Sequence, residues 1–175
     1  IRVSDRNAIG LAPAGEEVYT FQHALIREVV YSAIPRTRRA HEHLRVAEWL
    51  ENFSGSHSRA FAELLAQHYF RYYTLANLAR SRNVERRRET REKVVAALRQ
   101  AGDGAVSLHA LARADTYFSD ALDLLASDDD PDDIPAVVGL LIARANARRL
   151  AARADDAWGD YREALRAWPS VSSPI

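Results

Sequence analysis

After Gln22 the chain is a succession of apolar residues at helical spacing. The first set, Leu25, Ile26, Val29, Val30 and Ala33, recurs at steps of three and four residues and predicts a helix over 23–34 that stops at Pro35. Similar patterns predict helices over 38–52 and 59–79, and then two helix pairs over 90–125 and 134–167. The predicted buried positions of the second and third helices are Leu44, Ala47, Trp49, Leu50, Phe61, Leu64, Leu65, His68, Tyr69 and Tyr72. The sequence therefore predicts an all-α fold of stacked antiparallel helix pairs.

Only the N-terminal part of the chain carries a strand pattern. Residues 1–8 are polar and irregular, whereas short β-prone runs at 9–11 and 18–21 flank a turn that contains Pro13 and Gly15. This pattern predicts a β-hairpin. Because an isolated two-stranded hairpin is only marginally stable in water, we expect it to pack on the first helix.

The last two helix pairs share a pattern of small and aromatic residues. Gly102, Ala114, Phe118, Ala121 and Leu122 align with Ala145, Ala157, Tyr161, Ala164 and Leu165 at a constant offset of 43 residues. Small residues let two antiparallel helices approach closely, and the aromatic ring fills the groove beside the next pair. The pattern resembles tetratricopeptide (TPR) repeats, whose usual period is about 34 residues. The acidic insert at 126–134 accounts for the difference. A non-repetitive helical bundle is the alternative.

Composition and charge narrow the classes of function. The formal net charge is zero, which argues against nucleic-acid binding by bulk charge. The absence of cysteine excludes disulfides, thiolate metal sites and thiol nucleophiles. No apolar run has the ~18 residues of a membrane span, and we expect a cytoplasmic protein. The chain lacks methionine and ends in a stretch rich in Pro and Ser at 169–175, so we expect a piece of a longer protein that ends in a linker.

No combination of residues predicts an active site, a metal site or a cofactor site. The histidines lack the spacing of metal ligands, and Gly102 and Gly104 lie within a helical pattern rather than in a phosphate-binding loop. We expect structural hydrogen bonds instead. In this interpretation His23 fixes the corner between strand and helix, and His43 and His68 bond between the second and third helices.

A run of three arginines is the first candidate contact with a partner. Arg86, Arg87 and Arg88 lie in a segment at 80–93 that is dense in Arg and Glu and is predicted to be an exposed linker. These arginines could contact phosphate, an acidic partner or a neighbouring domain. The alternative is a solvated helix face, on which neighbouring glutamates compensate the charge.

Three other features concern the surface. Arg144 and Arg148 lie on the predicted inner face of the repeat helices and could bind an acidic group of a partner. The acidic run at 128–133 lacks the glycine and terminal glutamate of a calcium-binding loop and is predicted to be solvated. Part of the aromatic cluster at 69–73 is expected to be exposed against a neighbouring domain.

The stretch from Tyr19 to Tyr31 resembles a recurrent block of large bacterial signalling ATPases of the STAND or AAA type. These include ATPase-fused class III adenylyl and guanylyl cyclases and large LuxR-type or antibiotic-regulatory transcription regulators. In them the block closes a winged-helix domain and precedes an Arg-rich turn, a helix with a His, a Leu-Ala-x-His-Tyr block and TPR-like repeats. The corresponding residues here are Arg38, Arg39, His43, Ala47, Leu50, Leu65, Ala66, His68 and Tyr69.

The resemblance implies a domain organisation. Residues 1–21 would be the remnant of a winged-helix domain, 22–80 a linking helical region, 81–168 the TPR-like repeats and 169–175 a linker. In the opening stretch, Phe21 and His23 would fix the corner, while Leu25 and Val29 would dock the first helix.

The predicted function is that of a non-catalytic interaction module. It would bind a partner protein, a peptide or a small effector, or neighbouring domains of the same chain, and bias the attached ATPase. We expect no enzymatic activity, cofactor, membrane contact or direct nucleic-acid contact for the chain itself. The alternative is a structural oligomerisation arm that pairs with a second copy.

Overall fold

The computed structural model describes residues 2–4, 18–54, 58–76, 83–126 and 131–168. Two strands, β1 (Arg2–Ser4) and β2 (Val18–Thr20), pair antiparallel with Val3 opposite Tyr19. The expectation of an irregular segment at 1–8 is therefore wrong for β1. The predicted strand at 9–11 and its turn lie outside the described residues, so the hairpin as a whole stays a prediction.

The rest of the described chain is helical, which confirms the all-α prediction. Seven helices lie in the described residues. A short 3₁₀ turn at Pro131–Asp133 leads into the sixth of them. The helices are α1 (Ala24–Ala33), α2 (Arg36–Ser54), α3 (Ser58–Leu75), α4 (Val84–Ser107), α5 (Leu111–Ala126), α6 (Ile134–Leu150) and α7 (Ala154–Ala167).

From α2 onward, each helix packs on the next one along the chain, and α4 also contacts α6. The short connections within α2/α3, α4/α5 and α6/α7 make each of these an antiparallel pair. One apolar core extends from α2 to α6, with Tyr69, Phe118 and Leu140 among its most buried side chains. A smaller cluster of Val138, Leu141 and Ala164 joins α6 to α7.

Small residues allow the helices of the middle pair to come close together. Ala114, Phe118 and Ala121 have no exposed surface. Gly102 on α4 lies directly against the Phe118 ring, and a methyl group added at Gly102 would overlap that ring. In the last pair Ala157 and Ala164 are likewise buried.

The turns within the last two pairs have the same geometry. His109 and Ala152, 43 residues apart, both adopt a left-handed backbone conformation, with φ of 56° and 60°. In each turn the next residue reaches back to a helix carbonyl, from Ala110 N to Ala105 O at 2.9 Å and from Arg153 N to Arg148 O at 2.8 Å. This bond closes the helix end in the manner of a Schellman motif.

The structure corrects several predictions about exposure. The apolar side of α1 is exposed in the described chain, so the docking of this helix through Leu25 and Val29 stays a prediction. Trp49 is also exposed. Conversely, the cluster at 69–73 leaves no exposed aromatic patch, because Tyr69, Tyr72 and Tyr73 are buried and Phe70 is half-buried.

The segment at 84–93 is helix rather than linker. The Asn83 side chain caps α4 by accepting a hydrogen bond of 3.0 Å from the backbone N–H of Arg86. Because Asn83 caps the helix, the arginine run begins in its first turn, with Arg86 and Arg87, and continues to Arg88. Further along the helix, Thr90 and Arg91 are buried.

Candidate functional site

A hydrogen-bonded chain of three side chains joins α1, α2 and α3. The Tyr31 hydroxyl lies 2.8 Å from Nε2 of His43, and Nδ1 of His43 lies 3.0 Å from Nδ1 of His68. The Arg39 guanidinium lies 4.9 Å from the centre of the Tyr31 ring. We call Tyr31, His43 and His68 the tyrosine–histidine joint. It brings together two histidines that the sequence singled out.

Both histidines of the joint favour the neutral form. Burial and then the charge of His43 lower the pKa of His68 from 6.5 to about 4. Burial, followed by the charges of Arg71 and Arg39, also lowers the pKa of His43. A neutral His43 can accept from Tyr31 at Nε2 and donate from Nδ1 to His68. If both imidazoles were protonated, two N–H groups would face each other and this bond would be lost.

Acidification is expected to weaken the α2/α3 pair through His68. The folded-state pKa lies below the unfolded value, so the stabilising contribution is complete above pH 6.5 and is lost as the pH falls towards 4. After allowance for solvent screening, we expect the free energy of unfolding to fall by about 1–2 kcal/mol over this range. Urea unfolding at several pH values measures it. His68→Gln should reduce the dependence of the unfolding free energy on pH between 6.5 and 4. His41→Gln, at an exposed position, should leave this dependence unchanged. Equal profiles for the two variants would contradict the assignment.

A second contact closes the α2/α3 pair at the same end. Arg36, the first residue of α2, donates from Nε to the Leu75 carbonyl at 2.8 Å and from Nη2 to the Thr74 carbonyl at 2.9 Å. These bonds cap carbonyl groups that the end of α3 would otherwise leave unsatisfied. The start of α2 is thus fixed to the end of α3, and α1 meets this pair through Tyr31.

The strand-to-helix corner contains less bonding than predicted. His23 precedes α1, and its side chain makes no capping hydrogen bond, although its carbonyl accepts from Arg27 N at 3.2 Å. Phe21 is 41% exposed. The corner therefore depends on the backbone, while the joint lies at the other end of α1.

The predicted contact arginines of α4 have partners within the chain. Arg86 donates from Nη2 to the Tyr72 hydroxyl at 3.0 Å and lines a groove of about 170 Å³ between α2 and α4. Arg88 bonds Glu92 on its own helix and Asp132 beyond α5, both at 3.1 Å. Arg87 is half-buried.

The acidic insert is not simply a solvated loop where it is described. Asp133 pairs at 2.6 Å with Arg91, whose side chain is 1% exposed, and Asp132 pairs with Arg88. The 3₁₀ turn thus sets carboxylates over the basic side of α4. Residues 128–130 lie outside the described part of the chain.

Arg144 and Arg148 are held by acidic residues of the chain itself. Arg144 binds both oxygens of Asp160, at 3.1 and 2.7 Å, and Arg148 lies 3.0 Å from Asp160. Arg148 also donates to Asp115 at 2.6 Å, and Arg153 donates to the other Asp115 oxygen at 2.7 Å. We call these five residues the Asp160 cluster. It joins α5, α6 and α7, so a contact of Arg144 or Arg148 with a partner stays a prediction.

Burial and charge act in opposite directions on Asp115. Burial alone would raise its pKa, but hydrogen bonds from Arg153 and Arg148 hold the pKa below its usual value. Asp115 therefore stays ionised under ordinary conditions, as an anchor for two guanidinium groups has to be.

Sequence reasoning missed the acidic members of this cluster. Asp160 falls three residues after Ala157 and four before Ala164, so it lies in register with the buried side of α7. An aspartate at a position predicted to be buried indicates that a cationic partner lies nearby. Nothing in the local pattern identified the partner as Arg144.

No group of three or more His, Asp or Glu side chains within the described ranges is placed to hold a metal ion. Among the described helices, none is both long and apolar enough to cross a membrane. No protein-family model, curated protein or solved structure matches the chain.

Proposed function

We propose that the chain is a non-catalytic interaction and relay module of a multidomain bacterial signalling ATPase of the STAND or AAA type, either a nucleotidyl cyclase or a transcription regulator. In this proposal α1 docks on a neighbouring domain of the same protein. The observation that carries it is the exposure of the apolar side of α1. The exposed fractions are 76% for Leu25, 52% for Ile26, 67% for Val29 and 47% for Val30.

An exposed apolar surface on so short a helix is expected to pack against another part of the protein. α1 has ten residues, and helices shorter than about 12–15 residues are marginal in water without tertiary contacts. Four adjacent apolar side chains on a short helix also form the kind of patch that marks an interaction site.

The occupant we infer is the domain that contains β1 and β2. Three residues separate β2 from α1. A two-stranded sheet needs further strands or a helix for stability. The exposed face of α1 is the nearest apolar surface along the chain, and the resemblance of residues 19–31 to the end of a winged-helix domain supports the same arrangement.

The stack behind α1 would serve as a TPR-like scaffold. The matching turns at His109 and Ala152 and the contact of Gly102 with Phe118 support this interpretation. A partner, peptide or effector bound along the stack would shift its packing. The α2/α3 pair, closed by Arg36, would transmit that shift to α1 through the tyrosine–histidine joint. The relay needs two arrangements of α1 whose relative free energies the ligand changes.

The double variant Leu25→Asp/Val29→Asp tests the docking. Two charges on the apolar face should weaken the contact with the neighbouring domain, because a carboxylate is costly to bury without a partner. We expect the ATP hydrolysis rate of the intact multidomain protein, or its response to effector, to change several-fold. The thermal unfolding of the helical stack should be nearly unchanged, since both positions are exposed within it.

The matched control is Leu108→Asp, which adds a charge at a leucine that is 82% exposed between α4 and α5. Activity and regulation should be unaffected. If the α1 variant folds normally and retains wild-type hydrolysis and regulation, the relay function is wrong.

A further inference from the structure

The outer side of the last helix pair carries a second exposed apolar surface. Trp158, Leu165 and Trp168 recur at helical spacing along α7 and are 61%, 75% and 55% exposed. Tyr161 lies between them, and its hydroxyl donates to Asn146 Oδ1 on α6 at 2.7 Å. Ile142 and Leu150, four residues on either side of Asn146, are also exposed on that side of α6. We call Ile142, Leu150, Trp158, Leu165 and Trp168 the end face.

The preceding pair indicates what fits such a surface. At the offset of 43 residues, Leu165 corresponds to Leu122 and Trp168 to Leu125. Leu125 is only 4% exposed, and Leu122 packs against the cluster formed by Val138, Leu141 and Ala164. Residues of α6 help to cover Leu122 and Leu125 on α5, whereas the corresponding Leu165 and Trp168 are exposed. The end face therefore has the form of a surface that packs against a helix.

Charged residues beside the exposed row of Trp158, Leu165 and Trp168 distinguish between the two orientations in which another copy of α7 could pack. Asp155 and Asp156 lie in the first turn of α7, whereas Arg162 and Arg166 lie towards its end. Asp155 and Arg166 are both exposed and lie on the same side of this apolar row. Two copies of α7 packed antiparallel would bring each Asp155 near the Arg166 of the other copy. A parallel arrangement would place Asp155 and Arg166 of the two copies on opposite flanks of the interface and at different heights, so these pairs could not form.

We propose that the end face binds the end face of a second copy of this chain, with the two α7 helices antiparallel across a twofold axis. Trp158 then packs beside Leu165 of the partner subunit, and the reciprocal contact follows from the symmetry. The exposed parts of Trp158 and Trp168 can bury roughly 170–290 Å² per copy, about a quarter to a third of the ~800 Å² per partner in a standard interface, and Ile142, Leu150 and Leu165 add to this area. The formal net charge of zero adds no long-range repulsion between copies. The pairing does not depend on the docking of α1.

Sedimentation equilibrium of the 175-residue chain, from about 1 to 100 μM, tests the pairing. We expect a monomer–dimer equilibrium for the wild type and an association at least tenfold weaker for Leu165→Asp. Leu108→Asp, which places the same charge at another exposed leucine, should associate like the wild type. Circular dichroism establishes that each variant is folded.

A charge-reversal cycle tests the antiparallel arrangement itself. Asp155→Arg and Arg166→Asp should each weaken the dimer, and the double variant should recover most of the association. A wild-type chain that is monomeric at 100 μM overturns the proposal and leaves the end face for a helix of another protein. Association that is insensitive to Leu165→Asp, or a double variant weaker than both single ones, also overturns it.

Discussion

Asp160→Ala is expected to lower the free energy of unfolding by about 3 kcal/mol, the low end of the range for breaking a buried ion pair. Asp160 is 3% exposed and accepts hydrogen bonds from Arg144 and Arg148, whose side chains are only 15% and 16% exposed. The substitution removes the carboxylate and leaves two guanidinium groups with little access to water. Urea unfolding followed by circular dichroism measures the loss.

The control for this prediction is Asp156→Ala, on the same helix. Asp156 pairs with Arg153 at 2.8 Å, but both side chains are about half exposed. Exposed pairs of this kind contribute about 0–1 kcal/mol, so the control should be nearly neutral. Asp160→Asn keeps the side-chain volume and removes the charge alone. It should therefore lower the free energy of unfolding by less than Asp160→Ala does. Similar losses for Asp156→Ala and Asp160→Ala would contradict the role of the Asp160 cluster.

Phe118→Ala is expected to be at least as disruptive, with a loss of about 3–5 kcal/mol. The ring has no exposed surface and fills the space that Gly102 leaves on α4. Truncation leaves a cavity in the middle pair that the two closely packed helices cannot fill without moving. The midpoint of urea unfolding reports it, and Leu108→Ala at an exposed position should be close to neutral.

The glycine opposite the ring provides an independent check. Gly102→Ala should cost about 1–3 kcal/mol in the wild type, because the added methyl group overlaps the ring of Phe118. The same substitution should be neutral or stabilising in the Phe118→Ala background. Gly104→Ala, in the same helix with open space around it, should be neutral or stabilise the protein by up to about 1 kcal/mol. An equal cost of Gly102→Ala in both backgrounds would contradict the contact.

The helical part of the fold was predictable because each helix after α1 buries one side against its sequence neighbours. That arrangement imposes a period of three to four residues, which is visible without any knowledge of the partner helix. The buried positions Ala47, Leu65 and Tyr69 follow directly from it. The same spacing correctly identified α1 as amphipathic, but a period cannot specify what covers a face.

The charged contacts were less predictable because their partners are distant in sequence. Arg91 lies three and four residues before the buried Val94 and Val95, yet the surrounding Arg and Glu residues suggested an exposed linker. It pairs with Asp133, which lies beyond α5. Likewise the acidic neighbours of Arg144 and Arg148 belong to other helices, so the sequence indicated two free arginines where the fold pairs them.

The pairing of Arg91 with Asp133 has a consequence for the order of folding. Most helix contacts join neighbours along the chain, a topology of low contact order that favours rapid formation. Arg91 forms one of the longer-range contacts, since its partner Asp133 arrives only after α5 and the following turn have been placed. A folding chain in which α4 and α5 meet first therefore lacks the ion pair between Arg91 and Asp133. The transition state for completing the middle pair should then include the start of α6.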